Sequence, residues 1–182
     1  VADCLHKTPI FTSSGFPIVR TPNVRDGELT YDDMKYVTLN SYEEWTSREK
    51  PTYGDILFTR EAPLGEACIV PQKTDLCIGQ RMMLLRPNPA VITPEFLLYK
   101  IRSRSVQDVL FKIAGGSTVG HVNVKDVRSL QIRVPDLKLQ LKATTRYKSI
   151  KRVIDGESNL IFKLVQVKKA LSSALLSGRK RV

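Results

Sequence analysis

Two hydrophobic rhythms divide the chain, and they change over at Pro135. Before it, apolar residues come in short runs broken by Gly, Pro, Asn and Asp, the pattern of short strands and turns. Phe16-Pro-Ile-Val-Arg20 and Lys35-Tyr-Val37 predict strands, with Arg25-Asp-Gly27 as a turn between them. Ser41-Tyr-Glu-Glu44 has capping-box spacing, so a short helix is expected to begin there, carry Trp45 inward and end before Pro51 and Gly54. Residues 55–60, 66–70 and 81–86 predict a β-rich middle. Thr93-Pro94-Glu95 opens a helix, because proline in the first turn gives up no needed N–H and a carboxylate suits the positive helix end. The spacing of Phe96, Leu97, Tyr99, Val106, Val109, Leu110 and Ile113 fits one broken helix or two consecutive ones, stopped by Gly115-Gly116. Leu130–Val134 is expected to be a last strand.

Beyond Pro135 no proline recurs, and apolar residues return at alternating steps of four and three. Leu160, Leu164, Val167, Leu171 and Ala174 form a coiled-coil stripe. The same register takes in Leu139, Ala143, Ile150 and Val153, interrupted by Arg146 and Glu157. A single helix of about 40 residues would be roughly 60 Å long, and Gly156 is where it would bend or split. Such a helix cannot bury its stripe on a small body and needs a partner. The expected fold class is α+β: a mixed α/β body over 1–136, then a long C-terminal coiled-coil helix over 137–182.

Composition sharpens this division. The 182 residues are 42% hydrophobic, enough for a core, and carry a net charge of +11, which points to a polyanionic partner. Residues 1–137 hold 17 Lys and Arg against 16 Asp and Glu, whereas 138–182 hold 12 against 2. The basic arm reads either as a solvated helix face or as a nucleic-acid contact. Cys4, Cys68 and Cys77 are scattered, and with only His6 and His121 to join them they offer no zinc-ligand spacing. Dispersed cysteines fit a reducing cytosol. No apolar run reaches the roughly 20 residues of a membrane span, and no charged-then-apolar leader is present, so the expected location is cytoplasmic.

Catalytic signatures are missing from the sequence. There is no G-x-x-x-x-G-K-[ST] loop, no G-x-G-x-x-G unit and no nucleophile elbow. Asp136-Leu-Lys138 has the look of a nuclease fragment, but lacks the second carboxylate a metal ion needs; Asp136 reads better as the cap of the long helix. Gly115-Gly-Ser-Thr-Val-Gly120 can aim several backbone N–H groups at one phosphate, or can simply stop a helix. Arg60 and Glu61 follow an apolar strand and could address guanine and cytosine, pair with each other, or serve the scaffold.

Several segments occur in one order: Asp3-Cys-Leu-His-Lys-Thr-Pro9, Arg20-Thr-Pro-Asn-Val-Arg25, Gly54-Asp-Ile-Leu-Phe-Thr-Arg-Glu-Ala-Pro-Leu-Gly65, Gly79-Gln-Arg-Met-Met-Leu-Leu-Arg-Pro87, Gly116-Ser-Thr-Val-Gly-His-Val-Asn-Val-Lys-Asp126 and Leu175-Leu-Ser-Gly-Arg-Lys-Arg-Val182. Together they closely resemble the target recognition domain of the DNA specificity subunit of type I restriction–modification systems. The resemblance implies a non-catalytic reader of double-stranded DNA that serves partner subunits. Those partners are a methyltransferase and, through the complex, an ATP-driven restriction subunit, so S-adenosylmethionine, ATP and Mg would belong to them and no cofactor to this chain. Full specificity subunits hold two recognition domains, each followed by a long helix, and the helices pack as an antiparallel pair. One body and one helix therefore look like half a subunit, pairing as a homodimer or with a second half. The chain departs from the family pattern at Leu139, where an acidic Glu usually precedes Gln140. It opens at Val1 inside a family motif, which predicts a short piece ahead of it.

On this reading the expected DNA-binding residues are His6, Lys7, Thr8, Arg20, Asn23, Arg25, Arg60, Arg81, Ser117, Thr118, His121 and Lys125, with Arg60 weighted toward phosphate or structural work. A segment shared by domains that read different sequences should not itself choose bases, and the same caution covers Gln80 and Arg81. Leu160, Leu164, Val167 and Leu171 are the expected partner interface. The rival expectation, favoured by the near-neutral body, is a stand-alone coiled-coil assembly protein that does not read DNA.

Overall fold

The structure is a computed structural model that describes residues 1–116 and 120–177. Ser117 and Thr118 lie outside the described residues, as does the end of the closing basic segment. Contacts divide the chain into two compact units, Val1–Leu141 and Lys142–Val182.

The first unit is built on a four-stranded antiparallel sheet in the order β1 (Ala2–Asp3), β9 (Met82–Leu85), β6 (Ile56–Thr59) and β7 (Ala67–Ile69). All four residues of both β6 and β9 are buried, which requires cover on both faces. The strand alternation sorts them. Leu57, Met82 and Leu84 point to one side and pack with Cys4, Val19, Val24, Val70 and Leu76. Ile56, Phe58, Met83 and Leu85 point to the other, against Leu98, Ile101, Val106, Leu110, Val122 and Val127. Those six come from or adjoin α2 (Pro94–Ile101), α3 (Arg104–Ile113) and α4 (Val124–Ser129).

A second sheet has the order β5 (Lys35–Val37), β2 (Phe16–Val19) and β8 (Cys77–Ile78), with β2 antiparallel to β5 and parallel to β8. Helix α1 (Leu39–Thr46) covers it through Tyr42 and the buried Trp45, and Tyr42 stacks on Phe16 at 4.2 Å between ring centroids. A hairpin of β3 (Val24–Arg25) and β4 (Glu28–Leu29) turns through Asp26 (φ 52°) and Gly27 (φ 86°). Two consecutive positive φ values are what a tight two-residue hairpin demands, and Asp-Gly meets them.

Two expectations need correction. Helix α1 begins at Leu39, not Ser41, because the Thr38 hydroxyl is the acceptor that caps it, taking the Ser41 N–H at 3.3 Å. Residues 130–134 form no strand. Leu130 and Ile132 are half-buried while Gln131 and Arg133 are exposed, and Leu130 packs on the helical layer; an irregular strap laid on helices produces the same period of two as a strand. Within residues 121–129, for which the sequence pattern predicts no element, Asn123 and Asp126 form a capping box that starts α4.

Helix α5 (Leu137–Leu176) runs through Gly156 as one 40-residue element. Asp136 caps it, its carboxylate accepting from Leu139 N–H at 2.9 Å, which gives that side chain a structural role. In the first unit Gln140 is fully buried and satisfied. Its oxygen accepts from Thr93 N–H at 2.9 Å, and its amide donates to Val91 and Pro135 carbonyls, each at 2.8 Å. A second fastening is Arg86, whose guanidinium grips the carboxylate of Asp55 at 2.8 and 2.7 Å, tying the start of β6 to the end of β9.

Candidate nucleic-acid interface

The loop after β1, the 3-10 turn Thr21–Asn23 and the turn Gly79–Arg81 meet around a cleft of about 320 Å³. Thr8, Phe11, Arg20, Thr21, Gln80 and Arg81 line it. Arg20 is fixed by Asp33, donating to its carbonyl at 2.7 Å and its carboxylate at 3.1 Å, and its guanidinium carbon lies 5.8 Å from the Phe11 ring centroid. The Arg20 Nε is buried without a partner. Lys35 holds the other Asp33 oxygen at 2.6 Å, and these two cations, Lys35 first, keep the Asp33 carboxyl below the usual carboxylate range. The Gln80 amide, turned as its neighbours require, accepts from the backbone N–H groups of Lys7 (3.2 Å) and Thr8 (3.3 Å).

Beside the cleft, Glu61 collects two of the predicted residues. Arg81 Nε lies 3.3 Å from its carboxylate and His121 Nδ1 3.8 Å. His121 Nε2 shares a 3.2 Å contact with the Asn123 side-chain oxygen. Arg81 sits at φ 69° with an exposed side chain, presented outward at the end of its turn. Lys125 is exposed on α4.

Three predicted residues face inward or along the backbone. Asn23 is fully buried: its oxygen accepts from Arg20 N–H at 3.1 Å and its amide donates to the carbonyls of Asp32 and Thr30 at 3.1 and 3.4 Å. It shapes the turn that presents Arg20. Arg60 is 5% exposed, with Nη1 3.6 Å from Asp3 and Nε unpartnered. Its backbone N–H donates to Arg81 and its carbonyl accepts from Val122 N–H, so Arg60 knits three segments beneath the site. The Arg25 guanidinium donates to Thr21 and Val24 carbonyls, both at 2.8 Å. His6 bonds to Asp3 at 2.9 Å, and Lys7 pairs with Glu44 while lying 5.1 Å from the Trp45 ring centroid.

The arrangement explains a body of low net charge that still offers cations. His6, Lys7, Arg20, Arg60, Arg81 and His121 each lie beside a carboxylate. Exposed ion pairs contribute about 0–1 kcal/mol, so Lys7 or Arg81 can exchange a carboxylate for a phosphate at small cost; buried Arg60 cannot. Phe11 and Asp33 lie outside the residues singled out from the sequence, and Glu61, read there beside Arg60, instead holds Arg81 and His121. Of Phe11 and Asp33, only Phe11 carries a local signal, an apolar Ile10-Phe11 pair in an uncharged loop. Among the described residues no group of three or more His, Cys, Asp or Glu could hold a metal ion, and no helix is long and apolar enough to cross a membrane.

On α5 the predicted interface residues lie open. Leu160, Leu164, Val167 and Leu171 are 47–58% exposed. A second row, Tyr147, Ile154, Ile161, Val165 and Leu176, is also exposed and lies about 100° further round the helix at 3.6 residues per turn.

The chain is similar to known proteins in sequence and in fold. A family model described as the type I restriction modification DNA specificity domain matches residues 6–164. A sequence designated the MjaX type I restriction enzyme specificity subunit of Methanocaldococcus jannaschii is 28% identical over 151 residues, covering 81% of this chain and 34% of the relative. The EcoBI specificity subunit of Escherichia coli is 21% identical over 136 residues, covering 75% of this chain and 28% of its own length. The chain thus spans about a third of the curated relatives it matches. The HsdS subunit of Thermoanaerobacter tengcongensis superposes with a TM-score of 0.67 at 20% identity, over 87% of this chain and 41% of that one. A chain from a type I R-M system structure gives 0.68 at 19% identity, over 97% and 43%. With a family model running through most of the body and well into α5, the chain belongs to the type I restriction modification DNA specificity domain family.

Proposed function

We propose that the chain is a DNA-reading specificity module whose residues 1–136 select sequence and whose residues 137–182 dock partners. It directs a methyltransferase subunit, and through the complex a restriction subunit, to a bipartite site. On this reading it performs no chemistry and binds no cofactor; S-adenosylmethionine, ATP and Mg are the partners' concern. It works where chromosomal DNA lies, in the cytoplasm of a prokaryote. The observation that carries the reading is the family match from residue 6 to residue 164, which takes in the cleft and most of α5. A coiled-coil assembly protein that ignores DNA is not favoured, because the match includes the whole cleft.

The two exposed rows on α5 support docking to more than one helix. A single apolar stripe suffices for a two-stranded coil, whereas two rows about 100° apart ask for neighbours on both sides. A second arm, from a homodimer or a second half-subunit, covers the row of Leu160, Leu164, Val167 and Leu171; a methyltransferase helix covers the other. If two identical arms pair about a two-fold axis, the DNA site is an interrupted palindrome.

The test is an exchange of residues 1–136 for another recognition domain, keeping 137–182 and the natural methyltransferase. The expected result is a new methylated sequence with assembly preserved. An unchanged methylated site overturns the assignment of reading to the body. Methyl transfer from S-adenosylmethionine by the purified chain alone would overturn the non-catalytic reading.

A further inference from the structure

Between the two cleft-lining segments that carry Thr8 and Arg20 lies Pro9-Ile-Phe-Thr-Ser-Ser-Gly15, a loop with no charged side chain. Its tip is apolar and held out to solvent. Ile10 is 85% exposed and Phe11, which lines the cleft, is 40% exposed. A single exposed apolar residue means little. Here two adjacent ones are fixed in place. Thr12 N–H donates to the Tyr36 carbonyl at 2.9 Å, and its hydroxyl donates to the Ser14 carbonyl at 2.8 Å. Gly15, at φ 129°, closes the loop where a Cβ would fall 2.4 Å from the Val37 carbonyl oxygen. Phe11 lies against the Arg20 guanidinium, itself fastened to Asp33.

We propose that Ile10 and Phe11 are specificity-determining residues that read the C5-methyl group of thymine. The inference rests on the DNA-reading function above. An uncharged tip can enter a groove with no charge to desolvate, while Arg20, Arg81 and Lys7 around it meet phosphates. The only apolar feature of the major-groove edge is the thymine methyl, so an aliphatic and an aromatic side chain at the tip distinguish thymine from cytosine by contact. The bonds of Thr12 and the contact of Phe11 with Arg20 lower what must be ordered on binding.

The experiment uses the full chain assembled with its methyltransferase, and the half-site given by the methylated sequence. Binding is measured to duplexes carrying thymidine or deoxyuridine, with wild type and with Ile10→Ser, a change at a solvent-facing position. Burying one methyl is worth about 0.8 kcal/mol, so wild type is expected to bind deoxyuridine duplexes about fourfold more weakly per contacted methyl. Ile10→Ser is expected to bind the thymidine duplex that much more weakly and to lose most of the difference between the two bases. A half-site with no thymine, an equal deoxyuridine penalty in both proteins, or loss of methyltransferase capture by Ile10→Ser would each overturn the proposal. Absence of sequence-selective binding by wild type would instead overturn the DNA-reading function and this inference with it.

Discussion

The body and the arm manage charge and apolar surface in opposite ways. In the body, cations near the cleft sit beside carboxylates, and the apolar residues of β6 and β9 are buried on both faces. In the arm, 12 Lys and Arg over residues 138–182 face only 2 Asp and Glu, too few to neutralise them, and both apolar rows are open. The body buries its own apolar surface and, on the proposed reading, would meet DNA through a few exchangeable contacts. The arm is incomplete by construction. The unbalanced charge therefore speaks of attraction to polyanions in general, and the matched charge of selection among them.

The largest effect expected from breaking this contrast lies in the arm. Leu164→Asp with Leu171→Asp removes two leucines from one row, each worth roughly 1.5–3 kcal/mol when covered. Self-association by light scattering, or methyltransferase capture, should be abolished, while the body keeps its fold. A double mutant that retained both would show that the row is not an interface.

Next comes the body's own fastening. Arg86→Met removes the cation from the Asp55 carboxylate, 2% exposed, and leaves it only the Thr52 N–H and hydroxyl; with Arg86 itself 42% exposed, the loss costs about 1–3 kcal/mol. The urea midpoint should fall accordingly, with association through the arm unaffected. A smaller effect separates surface from interior cations. Lys125→Gln should weaken binding to all DNA sequences alike and lower the salt slope by about one unit. Arg60→Gln should lower stability before it touches the salt slope, because Arg60 is 5% exposed. Equal salt effects from the two would erase the distinction.

The smallest effect at neutral pH concerns Cys68 and Cys77, whose thiols burial pushes up to about 12. A folded-state value above the ordinary 9 leaves stability untouched below pH 9, since both states then hold the proton. It is lost as pH rises from 9 toward 12, where only the unfolded chain ionises. Chemical denaturation across that window should show the decline, and thiol reagents should leave the native protein unlabelled at pH 8. Ready labelling there would contradict the packing of these two cysteines.

What was legible in the sequence was local. Strands β2, β5, β6, β7 and β9 and helices α2, α3 and α5 declare themselves by period and by their stops. Strands β1 and β8, two residues each, exist only through partners far along the chain. The strap at 130–134 imitates a strand because packing on helices also hides alternate residues. In the candidate site, residue types were legible and their surroundings were not. Nothing adjacent to Lys7 announces Glu44, nothing near Arg60 announces Asp3, and the inward turn of Asn23 depends on the chain returning at Thr30 and Asp32. Asn123 was open to recognition as a cap, since Asn123-Val-Lys-Asp126 carries the spacing.

A helix with two open rows also bears on how much of this protein a cell can hold. Isolated helices draw little stability from propensity, so an uncovered α5 frays readily and offers its backbone to proteases. Chain made in excess of its partners would be clipped first within the arm and removed, while assembled chain would persist. If the chain serves partner enzymes as proposed, the supply of specificity would be metered by the supply of those enzymes. On that reading, a cell making surplus chain would not fill its chromosome with bodies that occupy sites and modify nothing.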